Sequence, residues 1–176
     1  MIFSISCNSQ NQSLIELSKQ EYDMFPDTFD IQQKVFSHYY DFGFAKNKAK
    51  GLNDAQKVIC YYFVCDGLID NGGFISILQE TSGGYNDGFL IALKDIKDEN
   101  GYNIFLDIVS IYKDYRKYFN NQEIPPQLDE ESDKFDKDLE SKLNTLEDNW
   151  YKDSSEREKN FKEYLKVHKN ELIKIK

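Results

Sequence analysis

The chain reads Asn71-Gly72-Gly73-Phe74 between two strongly apolar stretches, and Ser82-Gly83 follows further on. Asparagine and glycine tolerate the left-handed backbone that ends many helices. Before the motif, nearly every residue over 58–69 is apolar, which predicts a helix that is buried on most of its faces. We therefore expect a central helix that ends at Asn71, a short helix over 74–78, and a further helix that starts at Ser82-Gly83.

The composition of the rest of the chain favours helices with short connections. The 176 residues are 40% hydrophobic and 15% aromatic, which is sufficient for a core, while 9 glycines and 3 prolines leave little turn material. Helical periodicity outside the motif predicts an all-α fold, organised as one compact domain of about seven helices over residues 13–176. Residues 1–12 are expected to form a flexible tail.

Local signals set the expected ends of the other helices. Asn53-Asp54 is a helix-capping pair, and Pro125-Pro126 is a rigid break. Gly101 is expected to end one helix before the next begins at residue 103. The helices predicted outside the central region cover residues 14–22, 27–40, 103–119 and 129–151, and a last helix starts at Ser154 or Ser155.

The charge of the chain is unevenly distributed. The net charge is −9, and residues 95–148 alone carry 15 acidic and 7 basic residues. A protein that binds DNA or RNA directly needs a basic face that displaces counterions from phosphates, and no sizeable one is predicted here. An acidic protein is attracted to basic partners instead. The charge therefore excludes direct nucleic-acid binding and favours a basic protein surface as the partner.

Five acidic residues share one face of the helix predicted over 129–151. They recur at helical spacing without an intervening lysine or arginine on that face, and would form a row of carboxylates along the helix. Such a row can present a DNA-like potential to a basic protein. The alternative is an ordinary solvated face opposite a buried one. The predicted partner-binding residues are Asp129, Asp133, Asp136, Glu140 and Glu147.

The motif also carries a resemblance to a known family. Residues 68–74, followed by Thr81-Ser82-Gly83, resemble the bacterial DNA-mimic protein family, whose domain is otherwise of unknown function, and the similarity extends from about Leu52 to the C-terminus. The resemblance implies an all-helical, acidic homodimer that occupies the DNA-binding face of a transcription factor. It supplies no catalytic residues, so we expect a protein that is not an enzyme. Its structural motif residues are Asn71, Gly72, Gly73, Phe74, Ser82 and Gly83.

No metal or other cofactor is predicted. His38 and His168 lie far apart and belong to no metal-binding motif, and Cys60 and Cys65 are five residues apart on a predicted helix, so they do not face one ligand. Buried small side chains are the expected role of these cysteines.

Two further interpretations remain open. Ser6-Cys7-Asn8 resembles the end of a bacterial lipoprotein signal, with Cys7 as the lipidated residue if the true start lies upstream of Met1. That would anchor the protein to a membrane, whereas the leading expectation is a cytoplasmic protein. Asp66 and Asp70 are four residues apart on the apolar helix, and as a buried carboxylate pair they would suggest an enzyme.

Overall fold

The computed structural model describes residues 14–45, 49–81, 83–119 and 124–176. The described residues are 74% helical, and they form eight α-helices and a small two-stranded sheet. The predicted all-α fold class is therefore confirmed. In chain order the elements are β1 (Ile15–Leu17), α1 (Lys19–Met24), α2 (Phe29–Tyr39), a π-helical turn (Tyr40–Phe44), α3 (Asp54–Thr81), α4 (Asn86–Asp95), α5 (Glu99–Phe119), α6 (Lys137–Lys152), α7 (Ser154–Val167), α8 (Lys169–Leu172) and β2 (Ile173–Ile175).

The two strands were not expected, and the helix predicted over 14–22 is wrong in its first half. Ile15 and Leu17 are buried while Glu16 is exposed, which is the period of two typical of a half-buried strand. β1 pairs in parallel with β2, and Ile15 lies opposite Ile173. Because the partner strand is at the other end of the sequence, a local pattern could not show that three residues of β1 would be paired.

Helix α3 begins and breaks where the sequence predicts. At its start the Gln56 N–H donates to Asn53 Oδ1 at 2.8 Å, and the Asn53 N–H donates back to Gln56 Oε1 at 3.0 Å, a reciprocal cap. Further along, Gly72 (φ −168°, ψ 26°) and Gly73 (φ 67°, ψ −170°) are non-helical. We call this pair the glycine break. The helix resumes at Phe74 and continues to Thr81, beyond the predicted 74–78.

Gly101 does not end a helix, contrary to expectation. Helix α5 begins at Glu99, and Gly101 lies in its first turn, where its N–H donates to Asp98 Oδ1 at 2.9 Å. The preceding helix α4 already ends at Asp95. Asp98 therefore supplies the capping oxygen that starts α5, and the helix starts four residues earlier than predicted.

Contacts along the chain divide it into two compact units, residues 1–60 with 162–176, and residues 61–161. In the core of the first, the hydroxyl of Tyr39 accepts a hydrogen bond from the Ile15 N–H at 3.3 Å and donates to the carbonyl of Leu172. Burial raises the pKa of this tyrosine to about 12. The prediction of a single domain over 13–176 is tested by none of these contacts and stays a prediction.

The core of the second unit is aromatic. The rings of Phe89 and Phe105 pack edge to face with centroids 4.8 Å apart, and Phe74 contacts Trp150 at 5.6 Å. All four side chains are fully buried. Aromatic pairs of this geometry add about 0.5–1.5 kcal/mol each to the stabilisation from burial, and they fix Phe74 of the motif against helix α6.

Helix α3 is apolar and long enough to cross a membrane by length and composition, over Asp54–Gln79. The same stretch contains side chains that are fully buried in the protein, among them Ile59, Ile69 and Ile77. An apolar helix whose side chains fill the core meets the same criterion, and 39% of this apolar stretch is buried inside the protein.

Candidate functional site

The acidic residues that were expected on one long helix lie mostly outside it. Helix α6 begins at Lys137, with Asp136 as its N-cap, so the prediction of a helix over 129–151 is wrong for its first eight residues. Only Glu140 and Glu147 of the five predicted partner-binding residues lie on the helix. A single helical row of five carboxylates therefore does not exist, and Asp129, Asp133 and Asp136 are arranged by turns.

Residues 129–140, which we call the acidic segment, carry seven acidic and two basic residues. The Asp129 carboxylate accepts from the Glu131 N–H at 3.2 Å, and the Ser132 N–H donates to the Asp129 carbonyl at 2.8 Å. The Asp136 N–H donates to the carbonyl of Gln127 at 2.8 Å. Aspartate and serine favour such turns because their side chains bond to nearby backbone N–H groups, so residues 129–136 are held by turns before the segment enters helix α6.

Asp136 has a structural role in this arrangement. Its Oδ1 atom accepts from the N–H groups of Asp138 and Leu139, both at 3.1 Å, and its Oδ2 atom lies 3.4 Å from the hydroxyl of Tyr115. Negative charge at the first turn of a helix is also stabilised by the positive end of the helix dipole. Part of the acidity that suggested a docking surface is thus explained by the need to start α6.

The other carboxylates remain available to solvent. Asp129 and Asp133 are exposed, and Glu140 is half-buried. Within the described part of the chain, none of the five predicted partner-binding residues forms an ion pair with a lysine or arginine.

A groove of about 240 Å³ lies beside α6; we call it the α6 groove. Glu140, Asn144 and Glu147 contribute one wall, since residues spaced by three or four share a helical face. The apolar side chains that line it are Ile75, Ile124, Leu128 and Leu143. The groove thus joins an apolar surface to two of the predicted partner-binding carboxylates.

Glu147 connects this site to the motif. Its Oε1 atom accepts a hydrogen bond from the Phe74 N–H at 2.8 Å, where the helix resumes after the glycine break. A Cβ atom on Gly73 would overlap that carboxylate, and Gly73 has the positive φ that favours glycine. Nearby, the Tyr151 hydroxyl donates to the carbonyl of Ile69 at 2.9 Å. The glycines of the motif therefore let α6 come close to α3. Side chains of α6 then bond the Phe74 N–H and the Ile69 carbonyl, which the break in α3 leaves without a partner in the helix.

The other residues of the motif have local roles. The Asn71 side chain donates from Nδ2 to the carbonyl of Gly67 at 2.7 Å. Gly83 has φ 74° and lies so close to the ring of Tyr112 that a Cβ atom would overlap it. The expected helix start at Ser82 is displaced, because α4 begins at Asn86, and Ser82 itself lies outside the described residues. Cys7, the predicted lipidation site, and the predicted tail over 1–12 also lie outside them.

Asp66 and Asp70, the carboxylates of the enzyme interpretation, have different surroundings. Asp66 Oδ1 lies 3.6 Å from Nε of the buried Arg157, and Nη1 of that arginine lies 3.8 Å from Asp98 Oδ2. Burial raises the pKa of Asp66 to about 6, an effect that Arg157 opposes and Asp70 adds to. Asp70 is exposed. Asp66 is therefore a half-buried carboxylate paired with a buried arginine, Asp70 is a solvated one, and neither residue lines the α6 groove.

The guanidinium group of Arg157 also contacts Trp150. It lies 3.6 Å from the centre of the Trp150 ring and donates from Nη2 to the Trp150 carbonyl at 3.1 Å. Such stacking and fixed donor geometry are typical of buried arginines. The arrangement accounts for Asp66 as a partner of a core cation.

Among the described residues, no cysteine or histidine lines the α6 groove. Cys60 and Cys65 are buried and free, and burial raises the pKa of the Cys60 thiol to about 12, which makes it unreactive. His168 Nδ1 lies 2.8 Å from Glu171 Oε1. Over the described ranges, no group of three histidine, cysteine, aspartate or glutamate side chains could hold a metal ion.

Sequence reasoning missed the apolar part of the groove. Ile75 was expected inside a short helix without a role, and Leu128 and Ile124 lie beside Pro125-Pro126 in a stretch with no periodicity. The one available signal was Ile124, an apolar side chain next to a rigid break, which is 55% exposed.

Comparison with known proteins gives one match. The model of a protein family described as DMP19-like protein matches residues 50–168. No curated protein and no solved structure matches the chain.

Proposed function

Because the chain belongs to the DMP19-like protein family, whose model covers more than half of it, we propose that it is a non-catalytic interaction protein that binds the basic surface of a DNA-binding protein. The family match supports a DNA-mimic-like protein. The binding of a basic partner is the proposal, and its residues are those of the acidic segment.

One observation carries the proposal, namely the exposed negative charge of the acidic segment. Seven acidic residues within 129–140 are opposed by two basic ones. A cluster of like charge attracts an oppositely charged surface and accelerates association at low salt. DNA-binding proteins present such a surface, because neutralising phosphates requires lysine and arginine.

The turns of the acidic segment reduce the entropy that is lost when its charges bind a partner. Backbone bonds over residues 127–136 fix the backbone that carries the carboxylates, so less backbone entropy is lost when a partner binds. The arrangement differs from the helical row expected from the sequence. It requires only that the charges be open to solvent. Asp133 is exposed and Glu140 is half-buried, and neither caps a helix as Asp136 does.

The test is capture of proteins from a native cell lysate, followed by elution with duplex DNA. The double variant Asp133→Lys/Glu140→Lys should lose capture, by about tenfold or more for two reversed charges at low salt. Its matched control is Asp107→Lys/Asp114→Lys, which reverses two exposed charges on α5. Proteins held by mimicry should be released by duplex DNA, since DNA competes for the same basic face.

Two outcomes would contradict the proposal. Equal capture by both double variants would show that net charge, and not the acidic segment, matters. Captured proteins that remain bound in excess duplex DNA and at high salt would show that the interface is not a DNA-binding face.

A further inference from the structure

The floor of the α6 groove is apolar and partly open. Ile75 and Leu128 are half-buried, and Leu143 is buried beneath them. Ile124 is 55% exposed at the edge. Water in contact with these side chains is released when another apolar group covers them, which is favourable by about 25 cal/mol per Å² of buried apolar surface.

The size of the groove limits what can occupy it. Sites for drug-sized ligands and cofactors enclose about 300–1,000 Å³, whereas this groove has a volume of about 240 Å³. It suits a single large side chain. Protein interfaces gain much of their affinity from one such side chain in a pocket, surrounded by contacts that exclude water.

The charge at the groove defines what must flank that side chain. Glu140 and Glu147 lie on the α6 wall seven residues apart, with Asn144 between them. One oxygen of Glu147 accepts a hydrogen bond from the Phe74 N–H. Glu140 is the last residue of the acidic segment. A side chain that enters the groove is therefore next to negative charge, and basic neighbours on the same partner would be favoured.

We propose that the α6 groove seats one leucine-sized side chain of an amphipathic basic helix in the partner protein. This rests on the proposed function and specifies its partner. The carboxylates of the acidic segment attract the lysines or arginines of that helix, and the groove holds its apolar residue. The protein then recognises a partner helix by an apolar side chain that lies between basic ones. A DNA-like pattern of charge alone would not distinguish such a helix from other basic surfaces.

Two synthetic helical peptides test this directly. Both are built from alanine and lysine, and they differ at one central position, which is leucine in the first and alanine in the second. The leucine peptide should bind about tenfold more tightly in fluorescence anisotropy. The ratio between the peptides should persist at high salt, because apolar contact is not screened, while both affinities should fall.

A variant that fills the groove, compared with a control variant outside it, tests whether the groove is responsible for the leucine preference. Asn144 is exposed on the groove wall, so Asn144→Trp should occupy the groove and reduce the leucine preference to near one. Thr145 is exposed one residue on, about 100° around the helix, and Thr145→Trp should leave the preference intact. Circular dichroism and an unchanged unfolding midpoint show that both variants fold.

The outcomes separate this inference from the proposed function. If both peptides bind equally, but Asp133→Lys/Glu140→Lys weakens both, the groove has no role and the proposed function stands. If that charge reversal changes neither affinity, the proposed function fails, and the basic partner with it. If sedimentation shows a dimer that Asn144→Trp dissociates, the occupant is a second copy of the chain, and the inference is overturned.

Discussion

At Gly73 the backbone has φ 67° and ψ −170°, a combination that side chains disfavour, and the space where a Cβ atom would lie is occupied by the Glu147 carboxylate. Gly73→Ala should therefore destabilise the protein by about 2–3 kcal/mol through backbone strain and displacement of that carboxylate. Urea unfolding followed by the fluorescence of Trp150, the single tryptophan of the chain, measures the change.

Gly67 provides the control for this substitution. It lies in the same helix α3, and no atom lies within 4 Å of the point where a Cβ would be placed. Gly67→Ala should stabilise the protein by about 0.5–1 kcal/mol, because alanine loses less entropy on entering a helix. Equal effects of the two substitutions would show that the glycine break is not required.

Asp66 should make stability depend on pH. Its pKa in the folded protein is raised to about 6 by burial, from an ordinary value of 3.8, so the folded state binds this proton more tightly than the unfolded state. The stabilisation is complete below pH 3.8 and is lost as the pH rises through about 6. The total is at most about 3 kcal/mol.

Asp66→Asn isolates this contribution, since asparagine resembles the protonated carboxyl group. The difference in unfolding free energy, wild type minus variant, should fall between about pH 4 and pH 6.5 and be constant above that range. Asp107→Asn, at an exposed position on helix α5 that does not contribute to the pKa shift of Asp66, is the control. A difference that does not vary with pH would show that Asp66 is not perturbed.

Among the elements, helix α6 has two roles, because it caps the resumed part of α3 and forms a wall of the groove. Glu147→Ala removes the acceptor of the Phe74 N–H and should cost about 1–2 kcal/mol. Glu147→Gln retains an acceptor oxygen and should cost less than half as much. Asp148→Ala, at the exposed neighbouring position, should be nearly neutral, and chemical denaturation compares the three.

The helices that the sequence predicts best are those whose signals are local. The cap at Asn53 and the break at Gly72-Gly73 were identified because asparagine and glycine have their own backbone preferences. The predicted start of α6 is too early, since Phe135 continues the apolar spacing of Leu139 and Leu143. The turns that precede the helix depend on bonds among residues 129–135 and on one from the Asp136 N–H to the carbonyl of Gln127. The spacing of apolar residues indicates which side chains are buried, and side chains are buried in turns as well as in helices.

The candidate site was predictable in its charge and not in its shape. Acidity over 129–140 is visible in the sequence, but the role of Glu147 as a cap for Phe74 is a contact between residues 73 positions apart. The groove needs side chains from three separate segments to meet. No periodicity within one segment contains that information.

For the molecule as a whole, the pairing of β1 with β2 closes the first unit. Deleting residues 173–176 removes the partner of Ile15 and Leu17, so amide hydrogens over 15–17 and in α2 should exchange faster with deuterium. Protection within residues 61–161 should change less. Mass spectrometry of exchanged peptides measures both, and unchanged exchange in β1 would show that the pairing contributes nothing.

The division of the first unit between residues 1–60 and 162–176 also has a consequence for biosynthesis. A ribosome completes the contiguous residues 61–161 before it delivers the last segment of the first unit. With chain growth of about 5–20 residues per second, the early segment waits roughly 5–20 s for its C-terminal partner. During that interval Leu17 and Tyr39, which are fully buried in the finished protein, are open to chaperones on the nascent chain.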